Sequence, residues 1–511
     1  MGGSVDRGLM ASDSGPDPRS PVIVGVGQWN NRVDQGEPPV EPADMMAEAL
    51  RRAADDSGGG ARVLTSADAV RVSQSLSRRY PNPARLVAER VGATPRDEAV
   101  TPIGGNEPQA LVAQSCRDIA AGDAEVVLIC GAEAWRTRTA LPRDQRAQLG
   151  WTTQADSVPR ARPTAPGFEL NHPGEMARHV YEPPQVYALV EQALRHAAGR
   201  SIDDHLVHVS ELWARFNAVA VANPHAWVRE PLTAEQIRTP SPDNRWIWWP
   251  YTKVMNANNA VEQAAALILC SVERARALGI PRDRWVFPRA ATQAHDTYVL
   301  SHRLDLCSAP ALGVAGRGLF SLAGAGVDDV AHVDLYSCFP SAVQVAAAEI
   351  GLSVERPLTV TGGLSFAGGP WNNYVTHAIA TLTEVLRRDP GSLGLVTGLG
   401  GYLTKHALGL YSTEPPVGGF RWADAQDEVE AAGLPRRALA EEGEGDATIE
   451  SWVVEHGRDG EPRRALAACL LDDGRRAWAS SEDPDTVAEL RSGAEQIGRA
   501  VKIAPGGTLS L

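Results

Sequence analysis

The 511-residue chain is predicted to be an α/β protein with a largely parallel sheet, followed by a small antiparallel β-barrel-like domain. Three observations lead there. Short apolar strands alternate with helical stretches from Pro21 to about residue 415. The order of elements and glycines in the first half of that region recurs in the second. After Ser412-Thr413-Glu414-Pro415-Pro416 the pattern changes to apolar segments broken by turn signals.

Taken in order, residues 1–20 are rich in Gly, Ser, Asp and Pro and have no apolar h-region, so they read as a disordered leader and not as a signal peptide. The core opens with the buried strand Pro21-Val22-Ile23-Val24-Gly25-Val26-Gly27. A helix follows over about 42–56, with Met45, Met46, Ala49 and Leu50 on one face. In the first half, strand 67–72 leads to Gly104-Gly105, a helix and strand 126–131. In the second, strand 327–335 leads to Gly362-Gly363, Gly368-Gly369-Pro370, a helix and strand 393–401. An insertion at about 140–250 carries a helical stretch near 183–223 and the aromatic cluster Trp246-Ile247-Trp248-Trp249-Pro250-Tyr251. The last 90 or so residues start acidic and helix-prone through Glu444. Strands then follow at 448–454, 465–471, 476–480 and 501–509, with Asp472-Asp473-Gly474 as a hairpin signal. The domains are therefore 1–20, 21–300 with the insertion inside it, 301–415 and 421–511.

Composition narrows the function. Apolar residues make up 43% and charged residues 22%, as in globular domains. A net charge of −14 disfavours a broad nucleic-acid-binding face. No apolar run is long enough to span a membrane. Six scattered cysteines without a CxxC pair argue against a zinc ribbon or disulfide framework and fit a reducing cytoplasm. Gly25-Val26-Gly27 lacks the third glycine of a dinucleotide fingerprint. His172, Glu175 and His179 could share a helix face, but surface polarity beside a proline-bounded loop explains them better than a metal. Cys116, mid-helix, reads as a buried inert thiol.

The strand–turn–helix–strand run from Thr101 to Gly131-Ala132-Glu133-Ala134 resembles the thiolase superfamily, closest to its sterol-carrier-protein branch. Tyr336-Ser337-Cys338-Phe339 is similar to that branch's His-Asp-Cys-Phe. Residues 216–224 and 255–267 resemble the family's coenzyme A loop and its return helix, with Glu262-Gln263 where Asp-Gly is usual. The resemblance implies the thiolase fold of two similar β-α halves with an inserted loop domain, and a cleft for an acyl-coenzyme A thioester with no tightly bound cofactor. It also places the reacting groups. Gly105 stands where a thiolase has its acyl-accepting cysteine. Tyr336 replaces the Asn or His that holds the oxyanion. Gly369 takes the place of the histidine of Gly-His-Pro, and Gly398 that of the second cysteine. His377, seven residues beyond Pro370 and inside a helix, is an ordinary helix residue. Cleft candidates for the thioester are Gly104, Gly105, Asn106, Gly368, Gly369 and Gly400. Asn106 is expected to cap the following helix, whose N-terminus favours an anion.

Four readings follow: a thioester-binding protein without acetyltransferase chemistry, a carbon–carbon lyase of retro-aldol type using Tyr336, a residual acyltransferase, or a structural protein acting through its β-domain. The thiolase-like aldolases work with an OB-like partner protein, which the resemblance connects to the fused β-domain and to a protein partner there. Pro102 removes a ladder donor from the strand by which thiolases pair, so a monomer or weak homodimer is expected.

Overall fold

The computed structural model describes residues 15–511. The part of the expected leader before Gly15 lies outside the described residues. The part after it is tied down: Pro18 and Ser20 carbonyls accept from Glu273 and Val272 amides, and Arg19 donates to the Ala121 carbonyl at 3.1 Å. That corrects the expectation of disorder through residue 20.

The first sheet is built from β1 (Pro21–Asn30), β2 (Ala69–Val72), β3 (Asp97–Val100), β4 (Val126–Ala134) and β5 (Arg162–Pro163). A two-stranded hairpin of the insertion, β6 (Trp246–Trp249) and β7 (Tyr251–Thr252), precedes the sheet's last strand, β8 (Glu262–Ser271). The sheet order is β1-β8-β4-β2-β3-β5. The second sheet uses β9 (Phe287–His295), β10 (Val330–Asp334), β11 (Leu393–Gly400), β12 (Lys405–Ser412) and β13 (Arg421–Asp424), in the order β10-β11-β12-β9-β13. The helices Glu107–Ala121 and Tyr374–Arg388 pack between the two sheets, while Pro42–Asp56 covers the outer face of the first and Pro310–Ala323 that of the second. Two β-α halves therefore share a central helical layer; the resemblance implied the two halves, not the layer between them.

Both sheets are mixed, not largely parallel. β8 runs antiparallel to both β1 and β4, and β12 antiparallel to β11 and β9. The alanine-rich stretch expected as a return helix is in fact β8. Its ten residues are all buried between two partners, and continuous burial on both faces overrides the helix propensity of alanine. Arg421–Asp424 also departs from expectation. It pairs with β9 in the second sheet, and only Gln426–Ala431 of the acidic stretch becomes a longer helix.

The C-terminal strands are β14 (Gly445–His456), β15 (Pro462–Leu471), β16 (Arg476–Ser481), β17 (Ala500–Ala504) and β18 (Thr508–Ser510). β14 pairs with both β15 and β17, and the ladder continues β15-β16-β18-β17, so five strands close on themselves. The helix Pro484–Arg491 sits between the third and fourth, giving OB-like connectivity. The segment read as one final strand is two, turned at Gly506-Gly507, both with positive φ.

Several contacts fasten the barrel. β6 of the insertion adds to β14, pairing Trp249 with Val454. Arg476, fully buried, forms a fork on Glu450 with two bonds of 2.6 Å and gives its remaining donors to the carbonyls of Ser301 and Arg303 at 2.8 and 2.7 Å. Ser301 Oγ donates to Glu175 and accepts from Trp478 Nε1 at 2.8 Å. Removing one partner of a buried charge pair costs about 3–5 kcal/mol. Arg476→Met is expected to lower unfolding stability by that order and Glu450→Gln by less, read by urea denaturation monitored through tryptophan fluorescence.

Candidate functional site

The four loops singled out in the sequence meet where the central helices begin. Gly104 donates its amide to Asn372 Oδ1 at 3.0 Å, and Asn372 Nδ2 reaches the Gln74 carbonyl at 2.8 Å. Tyr336 hangs its amide on Thr397 Oγ1 at 2.9 Å, which joins the second loop to β11. Gly369 donates to the Asn258 carbonyl at 2.9 Å, so the third loop rests on the segment leading into β8.

The space at these positions is occupied. A Cβ on Gly105 would lie 2.6 Å from Tyr336 Cζ, 2.5 Å from the Leu399 carbonyl oxygen, and closer still to the Tyr336 hydroxyl. A side chain at 105 and the Tyr336 ring therefore exclude each other. A Cβ on Gly398 would come within 2.9 Å of Asn106 Cα, so the start of the Glu107 helix fills that place. At Gly400 the intruder would be the Asn106 amide, and at Gly368, which has a positive φ of 113°, the Gln263 amide. Gly369 is less confined, facing Asn259 Oδ1 at 2.9 Å and the Asn258 carbonyl at 3.4 Å.

Tyr336 is buried and stacks edge-on against Tyr374 at 5.5 Å between centroids. Tyr374 is itself pinned: its hydroxyl bonds Asp334 at 2.9 Å and Thr361 at 2.7 Å. Asp334 ends β10, fully buried, and accepts from Thr359, Val360 and Thr361 as well. Burial raises the Asp334 carboxyl, while these donors pull it back. Asp334 and Tyr374 escaped the sequence reading because neither belongs to a loop motif. The alternating Thr359 and Thr361 just before Gly362 were the available signal. Burial, with Cys338 adding to it, pushes the Tyr336 phenol well above its ordinary range, so the ring carries its proton and can donate but not act as a base near neutral pH. Cys338, the cysteine of this loop, is pushed up to about 12 by burial. It is a thiol at neutral pH and no substitute nucleophile.

Other candidates resolve as follows. Asn106 begins the helix but makes no capping bond; its Nδ2 donates to Glu107 at 3.2 Å and its Oδ1 is buried without a partner. That corrects the expected cap. Gln263 joins Asn30 and the Ala367 carbonyl at 3.0 and 2.9 Å, the work done by the Gln of Glu262-Gln263. His172 caps the short helix Pro173–Ala177, Glu175 is buried against Ser301, and no metal-ligand cluster occurs among the described residues. Cys116 is buried, and burial raises its thiol. His377 lies in the Tyr374 helix, buried, with Nδ1 bonded to Gln28 at 2.8 Å. A hollow of about 410 Å³ reaches Asn106 and Glu107 from the side of Lys405 and Phe168, and neither Gly105 nor Tyr336 lines it.

The model for the additional C-terminal domain of thiolase-like protein type 1 matches residues 424–508. The crystal structure of a monomeric SCP2-thiolase like protein type 1 from Mycobacterium smegmatis is 33% identical, covers 97% of this chain and 100% of its own, and superposes with a TM-score of 0.82. The chain belongs to the SCP2-thiolase-like protein type 1 family. Two curated relatives are more distant. The 17-hydroxy-3-oxo-4-pregnene-20-carboxyl-CoA lyase of Mycobacterium tuberculosis is 26% identical over 341 residues, 62% of this chain and 79% of the lyase. An acetyl-CoA acetyltransferase of Methanocaldococcus jannaschii is 24% identical over 169 residues, 33% of this chain and 40% of that protein.

Overpacking typically costs about 1–3 kcal/mol. Gly105→Cys is expected to destabilise the protein by that order. In combination with Tyr336→Ala, the cysteine should cost less than it does alone, a coupling read from a double-mutant cycle in urea. Additive effects would mean that Tyr336 does not fill the place. His377 is held down to about 3 by burial, so the unfolded chain binds a proton below about 6.5 that the folded one refuses. Its contribution is present above that pH and lost as pH falls. His377→Gln should flatten the loss of stability between pH 6 and 4.5 by about 1.4 kcal/mol per pH unit, as measured by urea unfolding at each pH.

Proposed function

We propose that this protein binds a coenzyme A thioester at the junction of its halves without forming an acyl-enzyme, as a thiolase-like protein of cytoplasmic lipid metabolism. The observation that carries the reading is the Tyr336 ring in the space a nucleophile at position 105 would need. An acyl-enzyme route needs a thiolate there, and the neighbouring Cys338 is a protonated thiol. The names of the two curated relatives support a thioester ligand, since both refer to coenzyme A chemistry. The ligand would bind at the edge of the loops carrying Gly104, Gly105, Asn106, Gly368, Gly369 and Gly400, since protein atoms fill the space directly beside them. Unpartnered Asn106 Oδ1 and Gln263 Oε1 leave acceptor capacity beside it. Acetyl-CoA and longer acyl-CoAs should raise the melting temperature, and intact-mass spectrometry should show no acyl adduct. A cysteine-linked adduct, or no thermal shift with any thioester, sinks the reading.

A second reading, a carbon–carbon lyase, is favoured by the lyase relative that aligns over most of its own length. In retro-aldol cleavage a base takes the hydroxyl proton, the carbon–carbon bond breaks, and an enolate oxygen forms. The protonated Tyr336 phenol suits donation to that oxygen, not the base's role. Tyr336→Phe would then abolish cleavage while leaving thioester affinity within about twofold, the split expected when an interaction acts in the transition state alone.

We also propose that the chain is a monomer. β3 stops at Val100, before Pro102, and its outer side is taken by β5 of the same chain, with Arg162 forking onto Asp97 at 2.9–3.0 Å. Sedimentation should give a single-chain mass at every concentration, and a concentration-independent dimer would count against it.

A further inference from the structure

We infer that the arginine-lined hollow beside the loop following β2 binds a small polyphosphate anion. Arg78, Arg79, Arg138, Arg143 and Arg146 line a hollow of about 560 Å³, with Trp151 in its wall. A second hollow of about 420 Å³ shares Arg78 and Arg79 and adds Arg160. None of these six arginines pairs with a carboxylate among the described residues. The half-buried ones are steadied by neutral oxygens instead. Arg78 donates to the Thr152 carbonyl at 2.8 Å and Thr153 Oγ1 at 3.2 Å, Arg138 to the Leu76 carbonyl at 3.1 Å, and Arg146 to the Arg138 carbonyl at 3.1 Å. Arg78 Nε is buried and has no partner.

Like charges gathered in one hollow repel each other. Burial first, then Arg146, Arg143 and Arg79, hold the Arg138 guanidinium below the usual arginine range. The opposing carboxylate is Glu133, below the hollow. It is spent on the loop itself, accepting from the Leu76 and Ser77 amides at 2.6 and 2.7 Å and so fixing the turn that carries Arg78 and Arg79. Asp144 lies on the same short helix as Arg143 and Arg146 but does not line the hollow. In a chain of net charge −14, this concentration of unpaired positive charge calls for an anion. Guanidinium forks match phosphate oxygens two at a time. The volume is that of a small-molecule site, and the concave shape fits a compact di- or triphosphate better than a polymer backbone.

The site is independent of the thioester reading, because inorganic pyrophosphate has neither acyl chain nor thioester. Titration calorimetry of the full chain with pyrophosphate at low ionic strength should show saturable binding that weakens with salt. Arg79→Gln/Arg143→Gln removes two exposed side chains that make no hydrogen bond among the described residues, so the fold should be kept. It should weaken pyrophosphate at least tenfold, while Arg463→Gln, at an exposed ion pair on the barrel, leaves it unchanged. ATP binding tighter than pyrophosphate would identify a free nucleotide as the source of the phosphates, and coenzyme A binding tighter would identify its own. No saturable pyrophosphate binding, or binding that the double variant retains, overturns the proposal.

Discussion

The Arg476–Glu450 pair ties two strands of the barrel to the segment around Ser301 and Arg303, which the sequence keeps far away. A guanidinium without exposure to water is costly unless every donor is used. Here the fork takes both Glu450 oxygens, and the remaining donors take main-chain carbonyls of the second half. The same short segment supplies Ser301, which ties in Glu175 of the insertion and Trp478 of the barrel. The barrel therefore belongs to the body of the protein. The apolar junction around Trp249 and Trp452 excludes water from the strand pairing that completes the attachment.

At the cleft, the decisive constraint is volume. Read as letters, glycines at 105 and 398 suggest holes. In three dimensions the holes are filled, by a tyrosine from the facing loop at one position and by the turn of a helix at another. Small residues on one loop and a large one on the other are two sides of one packing solution. The buried Asp334 and its threonines then hold Tyr374 against Tyr336, so the filled state is braced from behind.

Much of this architecture was legible in the chain. Glycine placement located the four loops, and the turn at Asp472-Asp473-Gly474 located a barrel hairpin. What failed has a common physical origin. The alanines of β8 read as helical because local propensity knows nothing of two flanking strands. Asn106 has the chemistry of a cap, but its backbone already lies in the helical region, so its side chain points elsewhere. Strand direction depends on long-range partners, and no short pattern carries it. The positions of the loops were readable for the opposite reason, since glycines clustered at a strand-to-helix turn are a local signal. The contents of the cleft were not, because Tyr336 and Gly105 are separated by more than two hundred residues.

The strand that the insertion lends to the barrel bears on how a ligand would enter. Trp249 pairs with Val454 across the ladder, Ser451 Oγ holds the Leu189 carbonyl at 2.7 Å, and Arg195 holds Glu495 at 2.8 Å. A hinged swing of the whole insertion would have to break these contacts together. The insertion is thus clamped to the barrel, and any ligand reaching the loops around Tyr336 would have to be admitted by small movements of side chains and loop tips.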